Sequence, residues 1–406
     1  MREFGRAWRA EWPLDPSVIY LNHGTVGVTP NRVLAAQQAI RDDIERQPSR
    51  YLLRELTSIV VGRPPAAEPR MRQAANAVAA FLGTRGDDLV FVDNATTGAN
   101  AVLRSFPLEP GDEILVTDLG YGGVTQAAAF AARERGASVR TAVMPYPVRS
   151  AGELVDAFVA AIGPGTRLAI VDHITSQSAL VLPVADIAAA CRARGVAVLA
   201  DGAHAPGAIP LDIPSLGVDW YVANLHKWMW VPRSSGILWA SPARQQGLHP
   251  PVISWGLDQG FAAEFDLPGT RDPSPHLAAP AAIAMMRELG AEAVQRYNHT
   301  LAWTGAKHLA SAWGTPFDTP EPLVGTMATV PLPETAGRTD DDASRVRDWL
   351  LFEDGIEVQV HALRGRLHAR ICAQIYNSLD DISCLATGVR SCSLRRAAGD
   401  SSVVTP

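Results

Sequence analysis

The sequence predicts an α/β fold, and three observations carry the prediction. Seven short runs rich in β-branched or apolar residues recur from residue 88 onward: DLVFVDN, DEILVTDL, ASVRTAV, RLAIVDHI, VAVLAD, DWYVAN and GILWA. Alanine-rich segments of helical length separate most of them, the alternation expected when a mostly parallel sheet is covered by helices on both faces. Several runs end in a polar residue, at Asn94, Asp118, His173, Asp201 or Asn224. Open α/β sheets bind their ligands at such strand ends.

The runs place a large domain over residues 60–265, behind an N-terminal segment over 1–59. FDLPGTRDPSPH, rich in proline and glycine, marks a crossover into a smaller α+β domain over 266–392. That domain is expected to hold a helix over about 278–312, strands near GTMATVPL and IEVQV, and then LHARICAQIYN. After Asp381 the pattern decays, so fraying is expected, with 393–406 as a flexible tail.

At 406 residues and 47% hydrophobic content, the chain can bury a core unaided. The net charge of −6 and the lack of any lysine/arginine block argue against nucleic acid or a membrane surface as partner and favour a small molecule. Cys191, Cys372, Cys384 and Cys392 lack metal-ligand spacing, so no metal site is expected. MREFGRAWRAEW lacks the apolar stretch of a secretory signal, and no apolar run approaches the roughly 20 residues that span a bilayer. A cytoplasmic, reducing setting is the expectation.

The chain contains only two lysines, Lys227 and Lys307, and Lys227 lies among apolar neighbours in ANLHKWMW. A buried lysine can lose its proton and act as nucleophile or base, which arginine cannot do. Taken alone, Lys227 is equally well a side chain whose stem covers apolar surface while its amine reaches water. VAVLADGAHAPG adds Asp201 at a strand end, 26 residues before the lysine. An aspartate there is often only a turn or cap residue. Together, a strand-end carboxylate and a lysine one crossover later suit pyridoxal phosphate, whose aldehyde takes a lysine and whose ring nitrogen takes an aspartate partner. DNATTGAN, at the start of an alanine-rich helix, offers Asn94, Thr96, Thr97 and free amides to a phosphate, although an ordinary helix cap has the same composition.

These residues belong to a longer ordered set: YLNHGTVGVTP, QPSRYLLREL, FVDNATTGAN, DHITSQSALVLPV, DGAHAPG, ANLHKWMW, ISWG, GTRD and RICAQIYN, spread over about residues 18–381. On them the chain resembles the class V aminotransferases of pyridoxal phosphate fold type I, in particular the isopenicillin N epimerase-like branch. The resemblance implies a homodimer with sites at the interface, Lys227 as the Schiff-base lysine and Asp201 as partner of the ring nitrogen. It implies that Asn94, Thr96, Thr97 and His226 hold the phosphate, with Thr270 reaching that of the neighbouring subunit. It places Tyr121 over the pyridine ring, Thr175 or Ser176 at the 3-hydroxyl and His204 beside the cofactor. Arg370 would grip an amino acid's α-carboxylate, since a guanidinium fork matches a carboxylate bidentately. Asn22 and His23 would line the same mouth, while Arg50 and Tyr51 would either reach the distal part of the substrate or pack on the other subunit.

Members of the branch share one step, removal of the Cα proton by the freed lysine. Epimerisation, β-elimination and transamination diverge afterwards. Cysteine desulfuration through a persulfide needs a loop cysteine before the carboxylate-binding arginine, and GIEVQVHALRGRLHAR has none. Epimerisation demands acid/base groups on both faces, with Tyr121 or His204 as candidates for the second. Elimination needs a single base, so the reading leans to a carbon–sulfur lyase acting on an S-substituted cysteine in specialised metabolism. A non-catalytic cofactor-binding scaffold is disfavoured by the presence of both Lys227 and Asp201.

Overall fold

In the computed structural model, which describes residues 3–59, 63 and 67–397, all seven runs are strands. After a short β1 (Ile19–Tyr20) come β2 (Leu89–Val92), β3 (Glu113–Thr117), β4 (Ser138–Ala142), β5 (Thr166–Asp172), β6 (Ala197–Asp201), β7 (Trp220–Asn224) and β8 (Gly236–Ala240). They form one sheet in the order β2-β8-β7-β6-β5-β3-β4, parallel except for β8, which runs antiparallel to both its neighbours. Strands β2, β6, β7 and β8 are buried along their whole length, which explains why they read as continuous apolar runs. β4, with the more polar sequence SVRTA, is an edge strand and largely solvent-facing. Helices Ala95–Ser105 and Gly122–Glu134 cover one face, and Arg70–Phe81, Ala151–Ala160 and Val184–Arg192 cover the other. Because β3, β5, β6 and β7 run the same way, Asp118, Asp172, Asp201 and Asn224 all lie along one edge of the sheet.

The second unit contains β9 (Met327–Pro331), β10 (Ile356–Glu357), β11 (Gln359–Leu363) and β12 (Arg366–Cys372), with an antiparallel sheet ordered β11-β12-β9. Side chains alternate across a strand. One face, with Ala328, Val330, Val360, Leu367, Ala369 and Ile371, packs in a core shared with helices Ala291–Trp313 and Asp340–Phe352. The other face presents Thr329 and Arg370 to the large sheet, where they hydrogen-bond the carbonyls of Gln177 and Ser176.

Three expectations are corrected. The helix over 278–312 is two helices, Ala279–Leu289 and Ala291–Trp313, broken at Gly290 in the left-handed region at φ +79°. IEVQV is divided between β10 and β11, because β10 pairs in parallel with β1 while β11 joins the three-stranded sheet. The residues beyond Asp381 do not fray: Leu379–Ala397 is a helix that buries Ile382, Leu385, Ala386 and Val389. Its one glycine is a packing residue, since a Cβ at Gly388 would lie 2.8 Å from Asp354 Oδ2 and 2.9 Å from Leu350. Residues 393–397 are thus helix, while 398–406 and the expected boundary at residue 60 lie outside the described residues. The N-terminal segment is built into both units: Trp8 and Trp12 join the core under the large sheet, and β1 pairs with β10. Among the described residues no helix is long and apolar enough to cross a membrane.

Candidate active site

Lys227 lies in the turn between β7 and β8. Leu225 and His226 both donate their amides to the Ser235 carbonyl, at 3.0 and 3.3 Å, and the His226 ring adds a 3.0 Å hydrogen bond from Nδ1. His23 donates from Nε2 to the Lys227 carbonyl at 3.0 Å, and Tyr376 bonds its other nitrogen at 2.9 Å. Gly27, at φ +68°, permits this approach, because a Cβ there would fall 1.8 Å from the His226 carbonyl oxygen. The buried amine makes a 3.1 Å hydrogen bond to His204 Nε2. Burial, and then the charge of Arg370, push its pKa down to about 8 against the pull of Asp201. A useful fraction of the amine is therefore neutral near physiological pH.

Asp201 and Asp172 end neighbouring strands and are register partners, so their carboxyls project from the same face. Both are buried. Asp201 accepts the Ala203 amide at 2.9 Å through Oδ1, while Oδ2 is buried without a partner. Burial raises its pKa, opposed by the Ala203 amide and Lys227. Asp172 accepts the Tyr121 amide at 3.1 Å, and burial followed by the charge of Asp201 raises its pKa well above the usual carboxylate range. Of the two, Asp172 is pushed up further. His204, pushed far toward neutrality by burial and by Lys227, leaves Nδ1 buried and unpartnered.

The helix Ala95–Ser105 begins beside the lysine turn, because Asn224 Oδ1 takes the Ala95 amide at 2.9 Å. Asn94 caps the helix by accepting the Thr97 amide at 2.9 Å and the Thr97 hydroxyl at 3.2 Å. Neighbouring Thr96 is partly exposed, and its carbonyl accepts the Asn100 side-chain amide at 2.9 Å. Across the site, Arg370 is almost wholly buried, and its two terminal nitrogens donate to the Ser176 carbonyl at 2.5 Å and the Thr25 hydroxyl at 2.7 Å. Its Nε is buried without a partner. Asn22, 3.5 Å from the same guanidinium, donates to Glu357 at 2.7 Å.

This donor set fits pyridoxal phosphate. An unpaired buried carboxylate oxygen is costly unless a donor arrives, and Asp201 Oδ2 is such an oxygen within the electrostatic reach of a low-pKa lysine. A helix N-terminus anchored next to that lysine suits a phosphate. A model of the aminotransferase class-V family matches residues 60–359. The chain belongs to the class V aminotransferase family, which uses pyridoxal phosphate. Among its relatives in that family, the isopenicillin N epimerase of Amycolatopsis lactamdurans is 31% identical, over 95% of this chain and 99% of the relative. The L-cysteine desulfhydrase of Arabidopsis thaliana is 29% identical, over 90% and 85%. The solved cystine C-S lyase C-DES, in complex with its reaction product cysteine persulfide, shares the fold with a TM-score of 0.74 at 23% identity, over 92% of this chain and 97% of that one.

Within this class V chain, Lys227 interacts with His204, Asp201 and Arg370 and directly follows His226, Arg370 meets Ser176 and Asn22, and Asn94 heads the helix that Asn224 anchors, whereas other expected residues lie differently. His23 is fully buried and braces the Lys227 carbonyl instead of lining a mouth. The Thr175 hydroxyl is spent within its own loop, on Ser178 at 2.6 Å and the Leu180 amide at 2.8 Å. Tyr121 is half-exposed at the head of the helix Gly122–Glu134. Arg50 is exposed and paired with Glu55, and Tyr51 is buried beneath the Arg70 guanidinium, so neither reaches Lys227 in this chain. Thr270 is exposed and flanks a hollow lined by Leu52, Leu53 and Met71. Sequence reasoning passed over Asp172, although it stands beside His173 in the quoted DHITSQSALVLPV; its signal was its place as the last residue of a buried strand.

Proposed function

We propose that this protein is a carbon–sulfur lyase that removes the β-substituent of an S-substituted cysteine, with Lys227 moving the Cα proton and Arg370 holding the α-carboxylate. When bound, pyridoxal phosphate supplies the electron sink that makes Cα acidic. Asp201 holds the ring-nitrogen end of the site, and Thr96, Thr97 and His226 attend its phosphate end. The observation that carries the lyase reading is the 3.1 Å hydrogen bond between His204 and Lys227. It supports a reading in which His204 lies on the lysine's own side, tunes the same base and offers no independent acid to the opposite face. Elimination needs only that base. The desulfhydrase relative supports the reading, and the epimerase relative supports the alternative, in which Tyr121 would serve the second face.

The active form is proposed to be a homodimer. Support comes from the exposed apolar residues Val252, Ile253, Trp255 and Leu257, close together in sequence and with Trp255 80% exposed, because clustered large apolar side chains at a surface mark contact sites. Thr270, near Leu53, would then serve the neighbouring subunit. The domain division at 265/266 and a reducing, cytoplasmic setting are part of the same proposal, the latter resting on four free cysteines. The deciding experiment incubates the protein with S-substituted cysteines in deuterated water. Equal amounts of pyruvate, ammonia and thiol are expected. Recovery of intact substrate labelled at Cα in both configurations would replace the lyase with an epimerase, and a keto acid retaining its sulfur would replace it with a transaminase.

A further inference from the structure

The carboxyl pair at the ends of β5 and β6 contains more than the site above uses. Neighbouring strands lie roughly 4.8 Å apart, so the register pairing of Asp172 with Asp201 sets two buried acids side by side. Asp172 also belongs to a second structure, the turn from β3 into the helix Gly122–Glu134. Its Oδ1 accepts the Tyr121 amide at 3.1 Å. Gly120 lies against its other oxygen: a Cβ at Gly120 would stand 3.2 Å from Asp172 Oδ2 and 3.3 Å from Thr117 Oγ1. The Thr117 hydroxyl, on the same side of Gly120, is itself buried with no partner. The turn that presents Tyr121 is thus wrapped around a carboxyl whose neighbour is Asp201.

We propose that Asp172 is a positioning residue for the reaction: it fixes the Tyr121 turn at the site through the backbone amide and, as register partner of Asp201, leaves that residue the sole anionic carboxylate facing the cofactor's ring. Two acids at this spacing do not ionise together. The oxygen that accepts from Tyr121 needs no charge to do so, and no side-chain cation hydrogen-bonds either oxygen among the described residues. Lys227 interacts more strongly with Asp201 than with Asp172, and Asp201 Oδ1 also accepts a backbone amide. A proton on Asp172 therefore satisfies both the turn and the pair. The inference rests on the cofactor site described above, with Asp201 as its ring-nitrogen partner.

The test compares Asp172→Asn with Asp172→Ala in the holoprotein, following the visible band of the resting cofactor across pH and the split of kcat from KM. Asparagine keeps a neutral acceptor for the Tyr121 amide, so Asp172→Asn is expected to keep the titration midpoint of the band and to hold kcat/KM within about threefold. Alanine frees the turn, and about a tenfold loss is expected, the scale of one lost buried hydrogen bond, with a displaced band. Near-wild-type thermal unfolding of the asparagine variant keeps the comparison valid even if the alanine variant folds poorly. A midpoint shift of a unit or more in Asp172→Asn would show that Asp172 is charged and overturn the proposal, as would wild-type behaviour of both variants. Absence of any visible band in the wild-type protein would instead overturn the cofactor site itself.

Discussion

The two sheets that meet at the site present their chemistry in different ways. Apart from its edge strand β4, the seven-stranded sheet is buried on both faces, so its side chains along the strands are spent on packing, and its functional groups stand at strand ends: Asp172, Asp201 and, three residues past β7, Lys227. The three-stranded sheet packs one face in its own core and turns the other toward the large unit, and Arg370 lies within β12 on that second face. A group at a strand end is fixed by register with its neighbour. A group on a strand face is fixed by what the opposing domain offers, here the Ser176 carbonyl and the Thr25 hydroxyl. The first arrangement suits a permanently held cofactor, and the second suits a substrate that enters and leaves.

The largest loss is expected at Lys227, on the seven-stranded sheet. Lys227→Ala should lower turnover by about 10³- to 10⁴-fold, the upper range for a positioned base, and borohydride should fix the cofactor to a Lys227 peptide only in the wild-type protein, read by mass spectrometry. Labelling of another residue would move the chemistry off the strand ends. Asp201→Ala comes next, with a loss of about 10²- to 10³-fold in kcat and a much smaller change in cofactor affinity measured by equilibrium dialysis. Equal losses in both would make Asp201 a binding group only. On the other sheet, Arg370→Lys should cost about 10- to 100-fold in kcat/KM, because a point charge replaces a planar fork. Amines lacking the carboxylate should be spared, and equal losses for acids and amines would remove Arg370 from the substrate side.

The titration of Lys227 sharpens the comparison without turnover. Burial lowers its pKa to about 8, so the neutral, reactive amine predominates above that pH and is lost below it. In cofactor-free protein the rate of Lys227 modification by trinitrobenzenesulfonate should climb through pH 8 and then level. A climb centred near the ordinary lysine value would mean that the strand-end environment is wetter than its packing implies. The smallest effect on activity is expected farthest from both sheets' polar edges: Ile382→Ala should cost about 2–4 kcal/mol of stability in denaturant unfolding and leave turnover of the folded fraction unchanged.

The cofactor side was legible because strand ends carry local signals. A buried apolar run closing on a polar residue located Asp201, and the scarcity of lysine drew attention to Lys227. Asp172 was passed over because its meaning is two-dimensional: only the pairing of β5 with β6 sets it beside Asp201. His23 was misplaced for a related reason, since the sequence cannot tell a residue that lines a pocket from one that braces the backbone behind it. The last helix escaped notice because glycine, serine and cysteine dilute its apolar stripe, and the need for a small residue at Gly388 arises only from packing on Leu350.

The pairing of β1 with β10 has a consequence for how the chain becomes active. Ile19 and Tyr20 find their partners at Ile356 and Glu357, Asn22 bridges to Cys372, and Thr25 and Asn22 meet Arg370. Contacts between residues so distant along the chain form late and slowly. During synthesis the seven-stranded sheet can emerge in full while Ile19, Tyr20, Asn22 and Thr25 still lack their partners, so a nascent chain halted before residue 356 would carry an amine and a carboxylate but no grip for the amino acid. Binding of substrate is thereby reserved for a chain whose two ends have met.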